Sequence, residues 1–273
     1  MKKILAIAIL PVIVLSFTGL ISCKSKSRKK DENKIELEQI QTIKKEIKKN
    51  VYPIPSSAKV VKTLADFGVS YINTIPNPPE NVRKYLTMSK KAQNLGAYGA
   101  DLSYATLYNV QQDIFDYLGA IKTLVNEMGL PGIYDESLYT KIQQNVDKKD
   151  SLVAILTEAF NSTYSYLSDN EQQAMGLLIV GGAWVEGMHL AVKVSGAAYN
   201  IQEMTRVLLE QKSSLMVYLD ITKTHLDDAN LNEFVKMLEP IRQVYSTIST
   251  SLTKKNIDDI TNAIEGIRKQ MVQ

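Results

Sequence analysis

After Pro79 the apolar side chains return every three or four residues almost without a break, and that spacing confines the chain to packed helices. Val110, Ile114, Tyr117, Leu118, Ile121, Leu124, Val125 and Met128 make one such stripe, and Ile257, Ile260, Ile264, Ile267 and Met271 make another. Alternating apolar runs joined by hairpin turns are missing, so no sheet is expected. The predicted fold is all-α: a single bundle of about nine to eleven helices. An α-solenoid built from helix pairs is the alternative.

Punctuation divides the pattern. Gly129, Leu130 and Pro131 follow the first stripe in the order of a helix stop. Shorter helices are expected over Tyr134–Val146 and around Leu152–Phe160. Ser168 and Glu171 have capping-box spacing, with Leu167 as the staple residue, and so predict a helix from Gln172 to about Ser195. Helices over Ile201 to about Gln211 and Leu231–Leu252 come next, and Pro240 should kink or split the second. Asp227 or Asp228 is placed to cap it.

The Gln172–Ser195 segment is the expected centre of the bundle. Ala174–Val185 is twelve residues without a charge, short of the roughly 20 that a membrane span requires. Gly176, Gly181, Gly182 and Gly187 each cost about 1 kcal/mol of helix propensity against Ala, which predicts close approach of neighbouring helices. Gly96 and Gly99 invite the same reading.

The first residues carry a different signal. Lys2 and Lys3 precede an apolar stretch from Ile4 to Leu20, then Leu20-Ile21-Ser22-Cys23. A charged start, an apolar core and small residues before a cut describe a secretory signal. The four residues ending in Cys23 resemble the lipobox of bacterial lipoproteins. That resemblance implies a signal peptide over 1–22, a lipid on the Cys23 sulfur and a mature amino terminus at Cys23. The expected organisation continues with a flexible basic tether over 23–34 and an all-helical domain over 35–273.

Cys23 is the only cysteine in the chain, so no disulfide is expected and stability must come from a packed core. Removing Lys2 and Lys3 from the 32 basic residues leaves 30 against 29 acidic ones, so the expected mature chain is close to neutral. Lys24, Lys26, Arg28, Lys29 and Lys30 concentrate positive charge beside the anchor; a solvated tether without specific contact is the expectation, and contact with anionic headgroups, at about 1 kcal/mol per cation, is the alternative. The remaining body is slightly acidic, which argues against a nucleic-acid partner.

Candidate chemistry is sparse. Glu186 and His189 have the Glu-x-x-His spacing of two metal ligands on one helix face, but a dinuclear design needs a second pair. The only other histidine, His225, has Thr222 three residues before it. Internal pairing is the better expectation, and neither a metal nor any other cofactor is implied. Phosphate loops, dinucleotide fingerprints and Gly-x-Ser-x-Gly are absent. Asp101 stands in a weakly polar helix with Tyr98 and Tyr104 three residues to either side and Tyr108 one turn further on. Such a group suits a polar network that fixes helix register, or alternatively a pocket for a small molecule.

Tyr52-Pro53-Ile54-Pro55, Asn81-Val82 with Lys84-Tyr85, and the run Asn94–Asn109 resemble a family of Bacteroidetes envelope lipoproteins. The resemblance covers about residues 50–130. It implies a helical periplasmic domain and supplies no activity. Surface-exposed members usually carry acidic residues just after the cysteine. Lys24-Ser25-Lys26-Ser27 departs from that, which implies the periplasmic face of the outer membrane. Asp150-Ser151-Leu152 also resembles the group's O-glycosylation motif. The resulting expectation is a non-enzymatic lipoprotein that binds or scaffolds an envelope protein. A small-molecule pocket near Asp101 and Tyr104 is the alternative, and a hydrolase or metalloenzyme comes third.

Overall fold

The computed structural model describes residues 70–130, 134–194 and 202–273. The expectations for Cys23, the basic tether and the first part of the all-helical domain, up to residue 69, lie outside them. Among the described residues there are nine α-helices, short 3-10 turns and no strand. The fold is an all-α bundle.

A 3-10 turn over Pro79–Lys84 precedes α1, Met88–Leu107. Then come α2 (Gln111–Glu127), α3 (Glu136–Gln143), α4 (Lys149–Asp169) and α5 (Gln173–Val194). The last four are α6 (Gln202–Thr222), α7 (Ala229–Met237), α8 (Glu239–Thr247) and α9 (Lys254–Val272).

The apolar stripes become the buried faces. Ile114, Tyr117, Leu118, Ile121, Leu124 and Val125 of α2 are buried, as are Ile257, Ile260, Ile264, Ile267 and Met271 of α9. Helix α5 is the one described helix long and apolar enough to cross a membrane, yet 94% of its most apolar window is buried within the protein. It packs against α1, α4, α6, α7 and α9. A solenoid unit touches only its neighbours in sequence, so these contacts exclude that alternative.

Helices α1 and α5 meet backbone to backbone. A Cβ on Gly96 would collide with the Ile179 carbonyl oxygen, and one on Gly182 with that of Gln93. The glycines give up helix propensity for this approach, as their clustering predicts. Gly181 likewise admits the Phe234 ring and the Tyr218 hydroxyl.

Helix ends show where local chemistry was readable. Gly129 adopts φ 72° after α2, and Leu130 N–H reaches the Val125 carbonyl at 2.9 Å. That is a Schellman stop. The Asp228 carboxylate caps α7 by accepting Leu231 N–H at 2.9 Å. Pro240 splits the 231–252 pattern into α7 and α8 by standing in the first turn of α8.

Two expectations are corrected. Ser168 does not cap α5; it belongs to the last turn of α4. Glu171 takes φ 59°, its N–H bonds the Ser168 carbonyl at 3.3 Å, and Gln172 N–H bonds that of Leu167 at 2.7 Å. The sequence that resembles a capping box is therefore a Schellman stop with a glutamate in the glycine position. The helix expected to end near Gln211 instead runs to Thr222. Gln211 is buried and accepts the Trp184 indole N–H at 3.2 Å, so a polar residue sits inside the packed face and does not end it.

Candidate functional site

The largest collection of buried polar groups lies where residues 71–85 cross α1, α5 and α9. Helix α1 supplies Asn94, Tyr98 and Asp101 at intervals of four and three, hence on one face. Helix α5 supplies Glu186 and His189, and α9 supplies Arg268. Asp101 and Glu186 are both 0% exposed.

Arg268 grips Glu186 bidentately. Its Nε lies 2.8 Å from Oε2 and 3.0 Å from Oε1, and its Nη2 lies 2.8 Å from Oε1. The same Nη2 donates to the Ile75 carbonyl at 3.4 Å. His189 Nε2 stands 3.3 Å from that carbonyl, which assigns the proton to Nε2. Asn77 N–H donates to Asp101 Oδ2 at 3.2 Å. The Asn77 side chain donates to Tyr85 Oη at 2.8 Å and to Asn94 Oδ1 at 3.3 Å.

Two buried carboxylates share a single guanidinium, and electrostatics then decides the protonation. Burial pushes the Asp101 carboxyl well above the ordinary carboxylate range, and the neighbouring Glu186 charge pushes it further. Arg268 and the Asn77 N–H pull the other way without prevailing. Asp101 Oδ1 meets no donor among the described residues. Protonation of Asp101 beside the Glu186–Arg268 pair would leave the cluster electrically neutral, which is the direction in which burial and the Glu186 charge push it. His189 is held down to about 3 by burial and by the nearby Arg268 charge, so it is a neutral imidazole.

The tyrosines turn to other partners. Tyr98 donates to the Pro78 carbonyl at 3.1 Å, and Tyr104 Oη accepts Ile72 N–H at 3.0 Å. Tyr108 stacks edge-on to Tyr104 with ring centroids 5.1 Å apart. Tyr71 packs against both rings and donates to Asp113 at 2.5 Å. The Tyr98 and Tyr104 hydroxyls thus clamp residues 72–78 onto α1, that of Tyr71 reaches α2, and none of them is hydrogen-bonded to Asp101. Because Asp101 and Tyr104 are fully buried, a ligand reaches them only if this segment lifts.

Glu186 and His189 do share a helix face, but Arg268 occupies the carboxylate. Among the described residues no three His, Cys, Asp or Glu side chains converge as a metal site. His225 lies in a 3-10 turn, away from these groups in sequence, and Ser151 is exposed in the first turn of α4. Sequence reasoning passed over Arg268 and Asn77. The one signal for Arg268 is a cation abutting the Ile264–Ile267–Met271 stripe of α9.

Comparison with protein-family models, with curated proteins and with solved structures finds no match.

Proposed function

We propose that the chain is a lipid-anchored protein of a bacterial envelope, held at the periplasmic face of the outer membrane. Its helical domain binds or scaffolds another envelope component. The observation that carries this reading is Leu20-Ile21-Ser22-Cys23 at the end of an apolar stretch, with Cys23 the sole cysteine. Two or more acyl chains at that sulfur and its amino terminus give stable anchoring, whereas one chain gives only marginal binding. The interior is consistent with a rigid helical domain. Arg268 grips Glu186 and the Asn77 N–H bonds Asp101, as expected of groups that hold helices in register.

Metabolic labelling with palmitate tests the anchor. The wild-type chain should take up label and partition into detergent, while Cys23→Ala should lose the label. Label persisting on the alanine variant would overturn the assignment. Crosslinking in intact envelopes tests the binding role, and repeated recovery of the protein alone would count against it.

A further inference from the structure

Leu86 is the most exposed large apolar side chain among the described residues, at 83%, and Met88 beside it is 44% exposed. The backbone holds them there. Tyr85 is extended, buried and hydrogen-bonded to Asn77, and Thr87 is extended because it caps α1 by accepting Lys90 N–H at 3.2 Å. Extended residues alternate in direction, so an inward Tyr85 sends Leu86 outward. The result is an apolar knuckle pinned at both ends.

Its surroundings are basic. Between Pro76 and Lys91 the sequence holds Arg83, Lys84, Lys90 and Lys91 against Glu80 alone. Lys91 pairs with Glu127 at 2.8 Å, and Lys90 caps the last carbonyls of α9 with Glu233 nearby. Arg83 and Lys84 are exposed and, among the described residues, have no ion-pair partner.

We infer that Leu86 and Met88 insert into a membrane surface carrying anionic headgroups, with Arg83 and Lys84 meeting the phosphates. Apolar side chains projecting between cations match an interface that is apolar below and negative above. The inference rests on the lipid anchor, which keeps the domain near a bilayer. The expected tether over 23–34 has eleven peptide links, an upper reach of about 37 Å at roughly 3.4 Å per residue. Tyr71 packs at the far end of α1, whose 20 residues span about 30 Å. The anchor sets the local concentration of the domain at the surface, and the knuckle supplies an orientation.

The intact lipidated chain carrying Leu86→Trp, reconstituted in phosphatidylcholine vesicles with and without phosphatidylglycerol, tests this through quenching by bromine-labelled acyl chains. Met88→Trp is the second reporter and Met216→Trp, 42% exposed on α6, the control; native Trp184 is buried and supplies a constant background. Quenching at 86 and 88 in phosphatidylglycerol vesicles, absent at 216, is the expected result. Adding Arg83→Ala and Lys84→Ala should lower the inserted-to-free ratio about 25-fold, each cation contributing roughly a factor of five. Vesicle flotation without quenching at 86 or 88 overturns the knuckle and leaves the anchor standing. Quenching equal in both vesicle types, or equal at 216, overturns the anionic-surface assignment. Failure to float with either vesicle removes the anchor itself and the inference with it.

Discussion

Replacing Arg268 with Met keeps most of the side-chain length and removes only the guanidinium. Three N–O contacts of 2.8 to 3.0 Å to Glu186 disappear, together with the 3.4 Å contact to the Ile75 carbonyl. Glu186 is 0% exposed and Arg268 16%, so water cannot replace the lost cation without opening the bundle. Breaking a buried pair from one side costs about 3–5 kcal/mol, because the remaining charge stays desolvated and unpaired. Two carboxyls, Asp101 and Glu186, would then face each other with no positive charge.

Urea unfolding followed by Trp184 emission reads this out, since Trp184 lies two residues before Glu186 on α5 and is buried. With a slope near 3 kcal/mol per molar urea for a domain of this size, the midpoint should fall by about 1–1.7 M. The double variant Glu186→Met/Arg268→Met removes both charges and should recover part of the loss, because an apolar pair of similar volume costs little. A coupling of about 2 kcal/mol between the two positions is expected. A midpoint within about 0.3 M of wild type, or additive single effects, would refute the claim that this pair is buried and mutually dependent.

Asp101→Asn mimics the protonated acid: its amide oxygen still accepts Asn77 N–H, and no charge is left beside Glu186. The folded-state pKa of Asp101 is raised, so its stabilisation is fully present below the unfolded carboxylate range and fades as pH rises through the folded value. The variant should match or exceed wild-type stability at neutral pH and lack that decline; a clear loss at neutral pH would show that Asp101 is ionised. His189 behaves in the opposite sense. The unfolded imidazole takes a proton near 6.5 while the folded one waits until about 3, so its contribution is complete above 6.5 and is lost on acidification between those values. Compared with His189→Gln, wild type should lose up to roughly 4 kcal/mol more between pH 7 and pH 3, and parallel stability curves would contradict this. Glu171→Gly relieves a left-handed backbone at an exposed helix stop and should raise stability by about 0.5–1 kcal/mol in thermal unfolding; a lowered Tm would show that the glutamate side chain matters there.

Legibility in the sequence followed the range of the interactions. The buried stripes of α2 and α9, the Gly129 stop, the Asp228 cap and the break at Pro240 depend on residues within a turn or two of one another, and each was readable. The close helix contact was readable from glycines whose helix cost has no local benefit. Ser168 and Glu171 misled because the same four-residue spacing serves either end of a helix; Leu167 packing at 0% exposure decides for the stop. Asp101 stood out as a carboxylate among apolar neighbours. Its partners did not, since Glu186 and Arg268 are 82 residues apart and Asn77 is 24 from Asp101.

The polar cluster and the glycine contact answer different halves of one problem. Gly96 and Gly182 bring α1 and α5 so close that little side-chain relief remains to key one helix against the other. Apolar contact alone is non-directional and tolerates sliding. Bidentate Arg268–Glu186 geometry and the Asp101–Asn77 bond are directional, and shifting α1, α5 or α9 by one turn would strand at least one buried carboxyl. A buried ion pair adds little net stability, so register is the better account of its presence. The same groups hold Ile75 and Asn77. Tyr71 and Ile72, just before them, are held by separate bonds, of Tyr71 to Asp113 and of Ile72 to Tyr104. Buried partners keep those inner bonds insensitive to salt, whereas an exposed ion pair in the same place would weaken with ionic strength.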